Sequence, residues 1–128
     1  MGKVRSFSAW ELAMLKRLLA ADFPGRDALK AQLDGAKAAE IDAENSIRIE
    51  VPVERPPAAV VGRIPVEARA VDTDGVAIYV LLHVLQERMA ELEIYRDDSS
   101  VVKRLPGPEL FEISVHRGDY NPFGSTAG

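Results

Sequence analysis

Hydrophobic residues recur at helical spacing near the start of the chain. Leu12 and Leu15 lie three positions apart, and further leucines continue the same stripe. Ser8 precedes this stretch, and Glu11 lies three residues after Ser8. This spacing is typical of a capping box, in which each side chain accepts a hydrogen bond from the other residue's backbone N–H. The pattern therefore predicts a helix over residues 9–21.

A second, shorter helix is predicted directly after the first. The Asp-Phe-Pro-Gly segment at residues 22–25 favours a chain break. Over residues 26–33, Leu29 and Leu33 are four positions apart and so share one helical face. Gly35 stands where a glycine commonly ends a helix in the left-handed conformation. The chain therefore begins with a pair of helices.

After the helical pair, the hydrophobic period changes from three or four residues to two, which is the period of β-strands. One stretch is apolar on both faces and is therefore expected in the centre of a sheet. We predict an α+β fold, with the N-terminal helical pair packed on an antiparallel meander sheet of about five strands. The predicted strands span residues 36–41, 47–51, 64–71, 76–85 and 89–95.

Residues 81–92 also fit a helix, because their leucines and methionine recur at helical spacing. Two observations favour a β-hairpin instead. Residues 78–80 and 93–95, on either side of the segment, are rich in β-branched and aromatic side chains. In addition, no capping residue opens a helix within residues 81–85. We therefore interpret the segment as two strands joined by a turn.

The length of 128 residues indicates one domain. We assign residues 1–105 to a single α+β domain and residues 106–128 to an extended C-terminal segment or tail. Residues 109–116 can add an edge strand to the sheet. Residues 118–128 are small and polar apart from two aromatic side chains, which are candidate anchors for a protein partner or a second copy.

Composition excludes several classes of protein. The chain has no cysteine, so disulfides, iron–sulfur clusters, cysteine-ligated zinc and thiol catalysis are excluded. Asp and Glu outnumber Lys and Arg by 20 to 16, giving a net charge of −4, which disfavours nucleic-acid binding. No apolar run approaches the length of about 20 residues that spans a bilayer, and no secretory signal is recognised. We therefore expect a cytoplasmic protein that binds neither nucleic acid nor membrane.

Three side chains are candidates for chemistry. Alternation places Glu91 and Glu93 on the outer face of one predicted strand, and His83 lies on the strand before it. Two carboxylates and an imidazole can transfer protons or hold a divalent ion. The ordinary interpretation is a solvated sheet face, on which each cross-strand pair contributes about 0.2–1 kcal/mol. We favour that interpretation.

The same face is the candidate binding surface. It combines charged and aromatic side chains from two strands, with the strand of His83 between them. Its predicted members are Glu67, Arg69, Glu91, Glu93 and Tyr95.

No motif points to a metal or cofactor. His83 and His116 are the only imidazoles, and they have no spacing typical of zinc ligands. Metalloprotease, nucleophile-elbow, phosphate-loop and dinucleotide-binding patterns are also absent. We therefore predict no metal site and no cofactor.

The chain has a recognisable pattern in residues 7–26, in residues 75–84 and, above all, in the sequence ELEIYRDD at residues 91–98. In these residues it resembles a family of small bacterial proteins of unknown function. The resemblance covers residues 7–105. The resemblance implies a single-domain helix-plus-sheet protein and supports the hairpin, but it implies no activity, cofactor or catalytic residue.

Two function hypotheses remain open. The first is a non-enzymatic protein-binding or interaction module of a bacterial cytoplasmic system, which would bind a protein partner or form a homo-oligomer. The alternative is a small acid–base enzyme, hydrolase- or isomerase-like, that uses His83, Glu91 and Glu93 in a pocket between helix and sheet. The sequence favours the module. A pocket that buries His83 within hydrogen-bond reach of a carboxylate would favour the enzyme.

Overall fold

The computed structural model describes residues 2–42 and 44–116. Two α-helices and a seven-stranded antiparallel sheet make up this part of the chain, with a short 3-10 helix (Pro108–Leu110) near its end. The helices are α1 (Ala9–Leu18) and α2 (Arg26–Gln32). The strands are β1 (Val4–Arg5), β2 (Lys37–Glu40), β3 (Ile47–Glu50), β4 (Val66–Val71), β5 (Ala77–Leu85), β6 (Arg88–Arg96) and β7 (Glu112–Val115).

The α+β class is confirmed, but the predicted sheet was too small and its order was wrong. The strands are arranged β1-β2-β3-β6-β5-β4-β7, so β3 pairs with β6 instead of with its successor β4. The proline-rich segment at residues 52–65 carries the chain from β3 past two strands to β4. β1 has two residues, which is too short for hydrophobic alternation to reveal.

The predicted hairpin is confirmed, and the competing helix is excluded. β5 and β6 pair from Ile78↔Arg96 to Leu85↔Arg88, with an irregularity after His83. Gln86 and Glu87 form the turn. Their φ angles are 51° and 65°, in the left-handed region that glycine or asparagine usually occupies in such turns. The turn therefore has no local sequence signature.

The helices cover one face of the sheet, here called the inner face. Leu82 on β5 pairs with Val66 on β4 and Leu92 on β6, and all three side chains are buried. Leu15 of α1 and Leu29 of α2 belong to the same hydrophobic core. Burial of these side chains provides the main stabilisation of the fold.

The chain after residue 105 also joins this core. Phe111 is 1% exposed, and Trp10 of α1 packs edge-on against it at a ring-centre distance of 6.2 Å. The Trp10 indole donates a hydrogen bond to the carbonyl oxygen of Pro106 at 2.8 Å. β7 is the edge strand expected within residues 109–116, whereas the predicted tail at residues 118–128 lies outside the described residues.

Within residues 2–42 and 44–116, neither α-helix combines the length and the apolar character needed to cross a bilayer.

Candidate functional site

The opposite side of the sheet, here called the open face, brings the three candidate residues together. Because alternate residues of a strand point to opposite faces, His83 lies opposite to its buried neighbour Leu82. The strand register pairs His83 with Glu91, and Glu93 follows two residues along the same strand. One possible ligand atom from each of these three side chains lies within 4.8 Å of the other two.

His83 is the centre of a hydrogen-bonded chain of three side chains. Its Nε2 lies 2.7 Å from Oε1 of Glu93, and its Nδ1 accepts a hydrogen bond from Nε of Arg63 at 2.8 Å. Because the Arg63 guanidinium only donates, Nδ1 must present its lone pair. The ring proton is therefore on Nε2 and is donated to Glu93. Only 8% of His83 is exposed.

A cavity of about 650 Å³ opens at this chain of hydrogen bonds. It lies on the open face, so its position differs from the predicted pocket between helix and sheet. A buried histidine with a carboxylate in hydrogen-bond reach is nevertheless present, as the acid–base hypothesis requires. The cavity is lined by Arg63, Ile64, Leu81, His83, Glu93, Tyr95 and Ser99.

Glu91 is the least constrained member of the cluster. It is partly exposed, and its carboxylate forms no hydrogen bond or ion pair with another residue in the described part of the chain. It lines a second, larger groove of about 800 Å³, in which Ile41 and Leu85 are the exposed apolar side chains. The strand pairing between β3 and β6 stops at Arg48↔Glu91, which leaves this groove open.

The remaining members of the predicted binding surface lie around Tyr95. Tyr95 stacks on Tyr79, with ring centres 5.3 Å apart and an interplanar angle of 24°. Burial, and next the negative charges of Glu67 and Glu93, raise the pKa of Tyr95, so its hydroxyl keeps its proton at neutral pH. Glu67 lies 2.5 Å from Nε2 of His116. Arg69 is paired in register with Tyr79 and is exposed.

The hydrogen bonds of His83 also bear on metal binding. A histidine that ligates a metal through one ring nitrogen usually donates its other N–H to an acceptor. At His83, Nδ1 faces the N–H of Arg63, which is a donor, and the proton stays on Nε2. The cluster as arranged holds a proton between His83 and Glu93. A metal at Nε2 would leave the ring proton on Nδ1. Nδ1 could then no longer accept the hydrogen bond from Arg63, so Arg63 would have to move away.

Sequence reasoning missed Arg63 and Ser99. Arg63 lies in the connector between β3 and β4, where no hydrophobic period marks a position near the sheet. Its backbone carbonyl accepts the N–H of Val84, and this contact places the side chain against His83. Ser99, with a φ of 65°, lies in the turn that follows β6. The glycine at position 62, directly before Arg63, is the local sequence signal of a turn at this point. Its φ is 83°.

Comparison with known proteins identifies the family. The profile of a family described as a domain of unknown function matches residues 4–106. The chain belongs to this family, DUF6984. The resemblance drawn from the sequence, to a small helix-plus-sheet family of unknown function, is thereby confirmed. No curated protein and no solved structure matches the chain. The DUF6984 match extends from β1 to the residues just before the 3-10 helix, so it includes the cavity and all three candidate residues.

Proposed function

We propose that the protein is a small acid–base enzyme whose active centre is the cavity around His83. The observation that carries the proposal is the buried His83 ring, which donates from Nε2 to Glu93 at 2.7 Å beside a cavity. An imidazole oriented by a carboxylate is a common arrangement for a general base. A volume of about 650 Å³ is within the range of small-molecule sites.

The geometry supports a simple division of roles. Nδ1 of His83 is the atom that accepts a proton, from the substrate in an isomerisation or from the attacking water in a hydrolysis, because Nε2 already holds one. Glu93 stabilises the imidazolium that results, through the same hydrogen bond. The proton then returns from Nδ1 to another atom of the substrate or to a leaving group, as in an isomerase or a hydrolase. The protonated hydroxyl of Tyr95 is a hydrogen-bond donor in the same cavity.

A test need not begin with the natural substrate. The protein is incubated in D₂O with a panel of small carboxylic acids, keto acids, esters and phosphate esters, and NMR follows both deuterium uptake at carbon and hydrolysis. We expect at least one compound to react, and His83→Gln to slow that reaction about a hundredfold or more.

His116→Gln is the matched control. His116 is the other histidine hydrogen-bonded to a glutamate, at 2.5 Å from Glu67, but it does not line the cavity. Its variant is expected to keep the wild-type rate. A panel without any reaction, or equal rates in the His83 and His116 variants, would contradict the proposal.

The interaction module is the second candidate, with a second copy of the chain as the partner. Arg69 and Glu91 have opposite charges, lie on the same face, and form no ion pair within the residues described here. In a twofold dimer, residue i of the first copy contacts residue j of the second, and residue j of the first copy contacts residue i of the second. Two open faces can therefore pair Arg69 with Glu91 twice.

Light scattering at increasing protein concentration tests this second candidate. We expect a dimer that Arg69→Glu separates into monomers and that the charge swap Arg69→Glu with Glu91→Arg restores. A monomer at every concentration, or a dimer that Arg69→Glu leaves intact, contradicts it.

A further inference from the structure

The contacts of Arg63 suggest which substrates the cavity takes. Arg63 is exposed and comes from the connector, not from the sheet. Within residues 2–42 and 44–116, its guanidinium makes a single hydrogen bond, from Nε to Nδ1 of His83. The two terminal nitrogens therefore have no protein acceptor in that part of the chain. Arg63 lines the cavity, so these nitrogens are available to a ligand bound there.

We infer that Arg63 binds an oxyanion of the substrate, a carboxylate or a phosphate, and that this binding uncovers the base. The inference rests on the proposed function. A guanidinium binds carboxylate or phosphate through two parallel hydrogen bonds between opposite charges, whereas it makes one hydrogen bond to the neutral Nδ1 of His83. Neutral Nδ1 of His83 is therefore a weaker partner for Arg63 than an anion is.

The exchange of partners links binding to chemistry. Without a ligand, Arg63 occupies the Nδ1 lone pair, and His83 cannot accept a proton. When the guanidinium turns to the anion, that lone pair becomes free beside the bound molecule. Nε2 and Glu93 keep their hydrogen bond throughout. The base is thus available only while an anionic molecule occupies the cavity.

The surrounding charges also restrict where the anion lies. Glu93 is on the Nε2 side of the imidazole ring, and its negative charge disfavours an anion there. Arg63 is on the Nδ1 side. An anion is therefore directed to the Arg63 side of the ring, next to the nitrogen that accepts the proton.

NMR of the ¹⁵N-labelled protein tests the inference without turnover. Inorganic phosphate and acetate are titrated separately, while the two imidazole nitrogens of His83 are observed. We expect one of the two anions to bind and to shift the Nδ1 resonance towards its position in anion-free Arg63→Ala, where the hydrogen bond is absent. The Nε2 resonance should remain that of a protonated nitrogen. Whichever anion binds identifies the substrate group as phosphate or carboxylate.

Arg104→Ala is the matched control, because Arg104 is also an exposed arginine, does not line the cavity and has no ion pair among the described residues. Arg63→Ala should weaken anion binding about tenfold or more, and Arg104→Ala by less than about twofold. Arg63→Lys keeps the charge but loses the planar fork, so intermediate affinity is expected.

Three results would overturn the inference: neither anion binds, the anion binds equally well to Arg63→Ala, or it binds without moving Nδ1. These outcomes are separable from failure of the proposed function. If the compound panel reacts and Arg63→Ala keeps the wild-type rate, His83 is a base but Arg63 does not select its substrate.

Discussion

Arg96 and Asp72 form an ion pair in which both side chains are almost fully buried. Nη1 of Arg96 lies 2.9 Å from Oδ2 of Asp72, and the side chains are 3% and 0% exposed. Asp74 and Asp98 accept further hydrogen bonds from the same guanidinium. Asp72 also accepts the backbone N–H of Lys103 at 2.7 Å. This network fixes the segment after β6, which leads to Pro106 and Phe111.

We predict that this network makes the fold sensitive to acid. Burial by itself raises the pKa of Asp72, but the N–H of Lys103 and the Arg96 guanidinium, with two further backbone N–H groups, hold that pKa far below its usual range. Since the pKa is lower in the folded chain than in the unfolded chain, the carboxylate stabilises the fold at neutral pH. This contribution declines as the pH falls below about 5 towards the folded-state pKa.

Asp72→Asn should therefore lower the free energy of unfolding at pH 7. It should also reduce the slope of that free energy against pH in the acid range by the equivalent of about one bound proton. Urea unfolding between pH 7 and pH 3 measures both effects. Asp27→Asn is the control, because the Asp27 side chain is 91% exposed. A wild-type slope in the Asp72 variant would contradict the assigned role of this carboxylate.

The cap of α1 gives a second prediction. Oγ of Ser8 accepts the N–H of Glu11 at 3.1 Å, and the Glu11 carboxylate accepts the N–H of Ser8 at 2.8 Å. Ser8→Ala should cost about 0.5–2 kcal/mol, whereas Ser8→Asp should cost much less, because aspartate also accepts a backbone N–H at this position. Denaturant midpoints of the two variants measure the difference. Equal losses of stability in the two variants would contradict a capping role for the Ser8 side chain.

The central strand gives a third prediction. Leu82 is fully buried between β4 and β6, so Leu82→Ala should cost about 2–5 kcal/mol in the free energy of unfolding. Leu85, on the same strand, is 43% exposed and serves as the control. Its change to alanine should cost less than about 0.5 kcal/mol. A loss below about 1 kcal/mol at Leu82 would mean that the core does not depend on this position.

Local patterns were sufficient for the first helix, the hairpin and the alternation that places Glu91 and Glu93 together, because all three depend on neighbours in sequence. They were insufficient for strand order, since β3 meets β6 only after the chain has formed β4 and β5. They were also insufficient for Arg63, whose contact with His83 spans 20 residues. A side chain in an irregular connector has no period from which its direction can be inferred.

Gln32 is a further residue that no local pattern reveals, and it gives the fourth prediction. Its side chain is fully buried and joins α2 to the hairpin: Nε2 donates to the carbonyl oxygens of Pro56 and Glu87, and Oε1 accepts the N–H of Met89, each at 2.9 Å. Gln32→Leu leaves these three backbone groups without that partner. It should cost at least about 1–3 kcal/mol, which urea unfolding would measure. Wild-type stability would show that water replaces the amide.

The fifth prediction concerns metals. Glu91→Gln and Glu93→Gln should keep the fold. The Glu91 carboxylate has no hydrogen-bond or ion-pair partner in the described part of the chain, and the amide oxygen that Glu93→Gln introduces can still accept the Nε2 proton of His83. We also expect calorimetric titration of the wild type with zinc, magnesium and calcium to show no tight binding, since Arg63 holds Nδ1 and the proton stays on Nε2.

Glu67→Gln is the control for that titration, because Glu67 pairs with His116 outside the cluster of His83, Glu91 and Glu93. A stoichiometric, micromolar zinc isotherm that Glu91→Gln abolishes and Glu67→Gln preserves would contradict the expectation. Zinc at Nε2 would have displaced the ring proton, and Nδ1 would then carry it and could no longer accept from Arg63. The Arg63→Ala variant, in which that opposing donor is absent, should in that case bind zinc more tightly than the wild type does. The same two measurements therefore decide whether His83 holds a proton or a metal ion.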